Sequence, residues 1–330
     1  MMSTAQDQQP LVALISGAAS GIGLAIARSL LAHTASTYNV LLVDLSPARL
    51  ETVASELGAE YGEGRVDWAA ADVTDYEKLG EAFKKAKGRE GWTGRVDVVC
   101  GIAGITQVFD TPDGKDPFLA SARLDEGTGE VGKQPNYMVI EVNLEGILNT
   151  VHLAVAHFRS NAANALGTRG RLVLAGSSAS LYPFPNESLY GTAKHGVLGV
   201  IRSLAPELQK EGITINGIAP SIVETGIGNP TALQAIREKG GLTPMETVTK
   251  GVVEVLLSRE EVGRELTGQI LELCLSHILI RVPPKPANAD VLKCLEMMWP
   301  WGEIEGSVGG VKKAEVKKWL EGKGVEVVQE

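Results

Sequence analysis

The stretch LVALISGAASGIGLAIARSLLA, residues 11–32, decides the fold. It opens with an apolar run, Leu11–Ser16, that stops at a glycine-rich turn, and AIARSLLA then repeats apolar positions at helical spacing. Strand, glycine-rich turn and helix form the start of a nucleotide-binding unit. Gly17, Gly21 and Gly23 follow G-x-x-x-G-x-G rather than G-x-G-x-x-G. Their physical use is the same, because glycine turns the backbone without a Cβ penalty and lets a pyrophosphate approach the amides at a helix N-terminus. Glycine turns after strands are common without any ligand; the flanking strand and helix favour the nucleotide reading.

Moving outward, the second apolar run, Val40–Val43, ends in Asp44. An acidic residue about 20 positions beyond the glycines is where dinucleotide folds hold a ribose 2′-hydroxyl. Ser46 and Pro47 already supply a cap and a first-turn residue for the next helix, which leaves Asp44 for the ribose. Its carboxylate repels a 2′-phosphate by roughly 1–4 kcal/mol at about 4 Å, so NAD is favoured over NADP. A third run, Val66–Ala71, precedes Asp72-Val73. Asp72 either takes an adenine amino group or caps the helix YEKLGEAFKKAK, and both roles stay open. The fourth run, Val96–Cys100, leads to Gly101-Ile102-Ala103-Gly104, whose small side chains permit a close backbone–ligand approach.

Residues 105–137 are rich in Gly, Pro, Asp and Thr with little periodicity, and read as a long surface excursion. It leaves the carboxyl edge of the sheet, where ligands bind in open α/β folds, so it either borders a substrate or decorates the surface. The apolar helix YMVIEVNLEGILNTVHLAVAHF carries Asn143, which must find hydrogen-bond partners there. It holds a water or backbone group for a neighbouring site, or it satisfies a local carbonyl.

Leu172–Ala175 is a fifth strand that delivers Ser177 and Ser178. Tyr190 and Lys194 follow, four residues apart on one helix face. An ammonium beside a phenol favours the phenolate, so the tyrosine is expected below its usual value of about 10. A hydroxyl, a tunable phenol and a cation suit proton transfer to or from an alcohol or carbonyl. An ordinary surface helix shows the same pair. Pro206 is expected to kink this helix and Gly212 to end it. Ile213–Ile218 and GQILELCLS are the sixth and seventh strands, with residues 226–247 between them holding a short helix.

Strand–helix alternation without an internal repeat or linker argues a doubly wound parallel sheet of about seven strands, an α/β single domain over 1–280. The extension 281–330 opens on VPPKP, holds Trp299 and Trp301 and ends in AEVKKWLEGKG. It packs on the domain, covers the site or contacts another subunit. The 330 residues are 44% apolar and 22% charged, as in globular proteins, and the formal charge of -9 argues against nucleic-acid binding. MMSTAQDQQP shows no secretory signal, and Ile270–Val282, interrupted by Glu272, Ser276, His277 and Arg281, is too short and polar to span a bilayer. Cys100, Cys274 and Cys294 have no metal-ligand spacing and read as free thiols in a reducing compartment. A cytoplasmic protein with no structural metal is expected.

Taken together, S-G-A-A-S-G-I-G at 16–23, Asp44, Asp72-Val73, Asn143, Ser178, Tyr190-x-x-x-Lys194 and P-x-x-V-x-T at 220–225 resemble the short-chain dehydrogenase/reductase family. The match covers about residues 10–280, and within the family it looks most like the NAD-dependent branch that includes 15-hydroxyprostaglandin dehydrogenase. The resemblance implies Tyr190 as general acid/base, Lys194 as its partner and a nicotinamide-ribose ligand, and Asn143 as anchor of a relay water. Ser178 would bond the reacting oxygen; the family's serine-to-tyrosine interval points instead to Ser177, and the second of the two serines is taken. Gly17, Ser20, Gly21, Ile22, Gly23, Asp44, Asp72, Val73, Ala103, Gly104, Pro220, Val223 and Thr225 would join Tyr190 and Lys194 around NAD. The family's Asn-Asn-Ala-Gly is Gly101-Ile102-Ala103-Gly104 here, so a sheet-stabilising asparagine is missing, and its Pro-Gly is Pro220-Ser221. The implied activity interconverts a fairly apolar secondary alcohol and ketone in a homodimer or homotetramer. Redox-neutral isomerisation or cyclisation, and a non-catalytic regulatory role, are the alternatives.

Overall fold

The computed structural model describes residues 9–34, 36–107, 115–125, 127–132, 134–164, 167–227, 230–258, 266–282 and 314–329. Cys294, Trp299, Trp301 and the Pro-rich stretch after Val282 lie outside the described residues. The chain alternates β1 (Leu11–Ser16), α1 (Gly21–Leu31), β2 (Tyr38–Asp44), α2 (Pro47–Tyr61), β3 (Val66–Ala70), α3 (Tyr76–Gly88) and β4 (Val98–Gly101). The excursion that follows contains the short helix α4 (Pro117–Ser121). Then α5 (Met138–Ile140) passes through a π turn at Glu141–Glu145 into α6 (Gly146–Arg159). β5 (Gly170–Ala175), α7 (Ser188–Lys210), β6 (Ile213–Pro220), α8 (Pro230–Glu238), α9 (Met245–Lys250) and β7 (Ile270–Cys274) complete the expected alternation.

These seven strands are parallel, in the order β3-β2-β1-β4-β5-β6-β7. β5 is buried along its whole length and β1 along all but its first residue, because helices cover both faces and a parallel strand then reads as a continuous apolar run. Ile26, Leu30, Leu50, Leu57, Val252 and Leu256 pack one face, and Leu79, Phe83, Val151, Phe158, Val197 and Ile201 the other. The segment Met138–Ser160 is apolar and long enough to cross a membrane by length and composition; here its Val151, Ala154 and Phe158 are core residues. α7 continues through Pro206 to Lys210, and Gly212, at φ +73°, turns the chain into β6. Strand order reverses between β1 and β4, so the loops after those strands diverge and open a crevice at the carboxyl edge.

The sheet exceeds the expected seven strands. The run Ile270–Val282 is two strands: β7, then β8 (His277–Val282) antiparallel to it, turning over Leu275-Ser276 with Leu275 at φ +53°. α10 (Ala314–Gly322) then precedes β9 (Val325–Gln329), which pairs parallel to β8. Leu320 and Val325 belong to the same apolar cluster as Ile278 and Ile280. The described part of the extension is therefore built into the sheet.

β8 also ties that sheet to the loop leading to α7. The Tyr182 hydroxyl donates to both oxygens of Glu272, at 2.9 and 3.1 Å, and Arg281 Nε donates to Glu272 Oε2 at 2.6 Å. The side chains of Arg281 and Glu272 are only 16% and 9% exposed, so removing one partner strands a charge. Arg281→Leu should lower the unfolding free energy by about 3–5 kcal/mol, the usual penalty for breaking a buried ion pair, with much of it recovered in Glu272→Leu/Arg281→Leu. Denaturant titration of the three proteins measures this; equal losses in single and double variants would contradict it.

Candidate active site

The crevice is shaped first by steric limits on two loops. Gly17 sits at φ +68°, and a Cβ there would stand 2.8 Å from the Ala103 backbone. At Gly23 a Cβ would lie 2.3 Å from the Gly17 carbonyl oxygen. Glycine at both positions lets the loop after β4 rest on the loop after β1 and lets α1 start hard against the turn. The Ser16 hydroxyl accepts from the Ile102 and Ala103 amides at 3.1 and 3.2 Å. This stitch stands where the resemblance had an asparagine missing. A Cβ at Gly101 would already be 3.1 Å from Leu174 and 3.2 Å from Ile147, so the tight packing favours glycine.

Asp44, at the end of β2, accepts from the Ala19 amide at 3.1 Å and the Leu45 amide at 2.8 Å. Ser46 caps α2, as expected. Asp75 caps α3 through the Lys78 amide at 3.0 Å. Of the two roles open for Asp72, the cap is therefore taken by another residue. Asp72 instead accepts from the Thr74 amide and hydroxyl, at 2.9 and 2.8 Å, on the cavity wall.

The cavity has a volume of about 760 Å³. Gly17, Ser20, Gly21, Ile22, Gly23, Asp44, Asp72 and Val73 line one end, with Ala103, Gly104, Pro220, Val223 and Thr225 among its other lining residues. Phe184, Glu187, Tyr190, Ile227, Leu233 and Ile236 also line it. The structure thus brings together all the residues expected around the cofactor. It also draws walls from the excursion, through Ile105 and Thr106, and from the segment before β7, through Ile227, Leu233 and Ile236.

Tyr190 and Lys194 share a face of α7, with Lys194 Nζ 5.6 Å from the phenol ring centroid. Lys194 is buried and donates to the Ala175 carbonyl at 2.8 Å, which pins the ammonium to the carboxyl end of β5. Burial lowers its pKa to about 8. Tyr190 departs from expectation. Burial raises its pKa, a hydrogen bond from Ser177 opposes that rise, and the Glu187 charge adds to it. The ammonium is directed to a carbonyl, so desolvation of the phenolate prevails in this arrangement.

Ser177 and Ser178 both line the cavity, and of the two it is Ser177 whose hydroxyl lowers the Tyr190 pKa. Ser177 is extended and ends the strand segment, and its hydroxyl accepts from the Ala179 amide at 3.2 Å; Ser178 begins the tight turn Ser178–Ser180. Asn143 satisfies a local carbonyl, one of the roles left open for it. Its Oδ1 accepts from the Ile105 amide at 2.8 Å and its Nδ2 donates to the Ile105 carbonyl at 2.7 Å. Fully buried, it clips the segment after β4 from behind rather than lining the cavity.

Sequence reasoning missed the anchor of the excursion. Asp116 accepts from the Ser188 amide at 2.8 Å, the Phe118 amide at 2.9 Å and Gln107 Nε2 at 3.0 Å. Burial pushes the Asp116 carboxyl up, but these bonds hold it below its ordinary value. It thereby caps α7, the helix of Tyr190, from 72 residues away. The Asp-Pro pair at Asp116-Pro117 marks the start of α4 and carries no sign of the contact with α7.

Residues 11–235 match the family model for short chain dehydrogenase, and the chain belongs to the short-chain dehydrogenase family, a family of oxidoreductases. Short-chain dehydrogenase/reductase prx6 of Penicillium rubens is 29% identical over 313 residues, covering 90% of this chain and 96% of that one. 3-Hydroxyacyl-CoA dehydrogenase type-2 of Homo sapiens is 30% identical over 226 residues, covering 68% and 78%. Among solved structures, a 3-oxoacyl-[acyl-carrier protein] reductase with bound NAD from Brucella melitensis is similar with a TM-score of 0.62 at 25% identity, covering 82% of this chain and 92% of that one.

The depressed lysine gives a stability signature. Its pKa is about 8 in the fold against an ordinary 10.5. Between those values the unfolded chain binds the proton more tightly, so stability rises with pH across that window and is lost as pH falls through about 8. Relative to Lys194→Met, the parent should gain on the order of 2–3 kcal/mol as pH rises from about 8 to about 10.5. Denaturant midpoints across that range check it; a parallel pH dependence in both proteins would refute it.

Proposed function

We propose that this protein is an NAD(H)-dependent oxidoreductase that interconverts a fairly apolar secondary alcohol and its ketone. The observation that carries the reading is one continuous cavity with a glycine cradle and Asp44 at one end, which also takes in Ser177, Tyr190 and Lys194. NAD, when bound, supplies the hydride acceptor or donor. The cradle fits such a dinucleotide, since the Cβ-free surface at Gly17 and Gly23 and the N-terminus of α1 suit a pyrophosphate. Asp44 faces the ribose, and Lys194 is the sole cation among the described lining residues. Among the described lining residues, no arginine is present to pair a 2′-phosphate beside Asp44.

In this reading Tyr190 removes the alcohol proton in oxidation and returns it in reduction. Ser177 donates to the substrate oxygen and steadies the charge that develops on it. Lys194 holds the phenolate electrostatically and reaches the nicotinamide ribose. Asn143 keeps Ile105 and Thr106 in place. Because burial raises the Tyr190 pKa, alcohol oxidation should climb with pH and ketone reduction should be sustained at lower pH.

Two predictions follow from these roles. Tyr190→Phe should reduce turnover by about 10² to 10⁴ with NAD affinity nearly unchanged, and Ser177→Ala should reduce it far more than Ser178→Ala. Steady-state kinetics on folded, NAD-binding samples decides this, and near-normal turnover in Tyr190→Phe would remove the phenol from the mechanism. NAD should bind at least about tenfold more tightly than NADP, with the gap narrowed in Asp44→Ala. Equal affinities of the parent for both would remove Asp44 from the ribose.

A further inference from the structure

Glu187 lies in the cavity three residues before Tyr190. It stands at the N-terminal boundary of α7, where a side chain commonly caps the helix, yet its side chain makes no capping bond. The Ser188 amide is taken by Asp116 instead. The loop before it, with Pro183, Pro185 and Asn186 at φ +68°, turns the Glu187 side chain toward Thr106, whose hydroxyl donates to Oε2 at 3.2 Å. A carboxylate has about four acceptor sites, so this bond and one from the Gln107 amide leave it able to accept more.

Its electrostatic setting is unfavourable without a ligand. Burial, and then the nearby Asp116 charge, raise the Glu187 pKa against the Thr106 hydrogen bond, and the Glu187 charge in turn raises that of Tyr190. A carboxylate that opposes ionisation of the proposed base is neutralised if the substrate brings a donor or a cation to it. Apolar side chains, Phe184, Ile222, Ile227, Leu233 and Ile236, share the cavity wall with Glu187, and Lys194 is the only cation among the described lining residues.

We propose that Glu187 determines the substrate class: an apolar alcohol or ketone with a hydrogen-bond donor, an amine or a second hydroxyl, beside the reacting carbon. The same residue excludes substrates with a carboxylate at that position. The proposal rests on the oxidoreductase reading above. In the step it concerns, the carbinol carbon gives a hydride to NAD⁺ and its hydroxyl gives a proton to Tyr190, while the donor group stays unreacted on Glu187.

The test uses four compounds with one eight-carbon chain: a plain secondary alkanol, the vicinal diol, the vicinal amino alcohol and the β-hydroxy acid. The parent should show kcat/KM for the amino alcohol and the diol at least about tenfold above that for the hydroxy acid, and Glu187→Gln should shrink that ratio about tenfold. Whichever of the two donors loses more in Glu187→Gln identifies the group recognised. An effect of Glu187 acting only through Tyr190 would alter all four substrates alike and leave the ratios fixed, which overturns the proposal. So does a parent that prefers the hydroxy acid. Calorimetric binding of the same compounds needs no turnover and must give the same ranking. Ranking without turnover would fault the oxidoreductase reading alone, whereas turnover without ranking would fault Glu187 alone.

Discussion

The Lys194 ammonium, sealed at the end of β5 and bound to the Ala175 carbonyl, is the constraint on which the rest of the site turns. An ion taken out of water must have a fixed partner, and this one is main chain, so it cannot swing away. That bond sets how α7 lies against β5, and with it where Tyr190 meets Ser177. Folding keeps a poorly solvated cation at the wall of the cavity. The same burial that orders the lysine raises the phenol, so position and ionisation have one cause.

Around that point the molecule relies on long-range hydrogen bonds rather than on regular structure. Asn143 fixes Ile105 from the π turn, Ser16 joins the loops after β1 and β4, and Asp116 brings the excursion onto the first turn of α7. Each bond joins segments well apart in sequence at the carboxyl edge of the sheet. A cavity with walls from so many segments keeps its shape only if those walls are fastened to the sheet, and these side chains do the fastening.

The parts legible in the sequence were those governed by local sterics or by period. Gly17 and Gly21 adopt positive φ and Gly23 abuts the Gly17 carbonyl, constraints visible within one turn, and buried parallel strands had to be continuous apolar runs. The choice between Ser177 and Ser178 was legible only in conflicting signals, the interval to Tyr190 pointing to the first and the paired-serine pattern to the second. The β7–β8 hairpin was hidden. Its turn is Leu275-Ser276, with leucine in the left-handed region, and nothing there carries the glycine, asparagine or proline that marks a turn. Asp116 as the cap of α7 was out of reach altogether, since a contact spanning 72 residues leaves no periodicity to read.

The outermost strand has a consequence for the ageing and processing of the chain. β9 is the last described segment, and among the described residues it pairs the free side of β8, whose sequence HILIRV is mostly apolar. A protease cut or a premature stop before Val325 would leave the glycine turn, Tyr190 and Lys194 intact while exposing a six-residue β-forming edge. Such an edge is a template for adding strands from other molecules. Loss of the final few residues would therefore show itself as self-association of an otherwise competent enzyme.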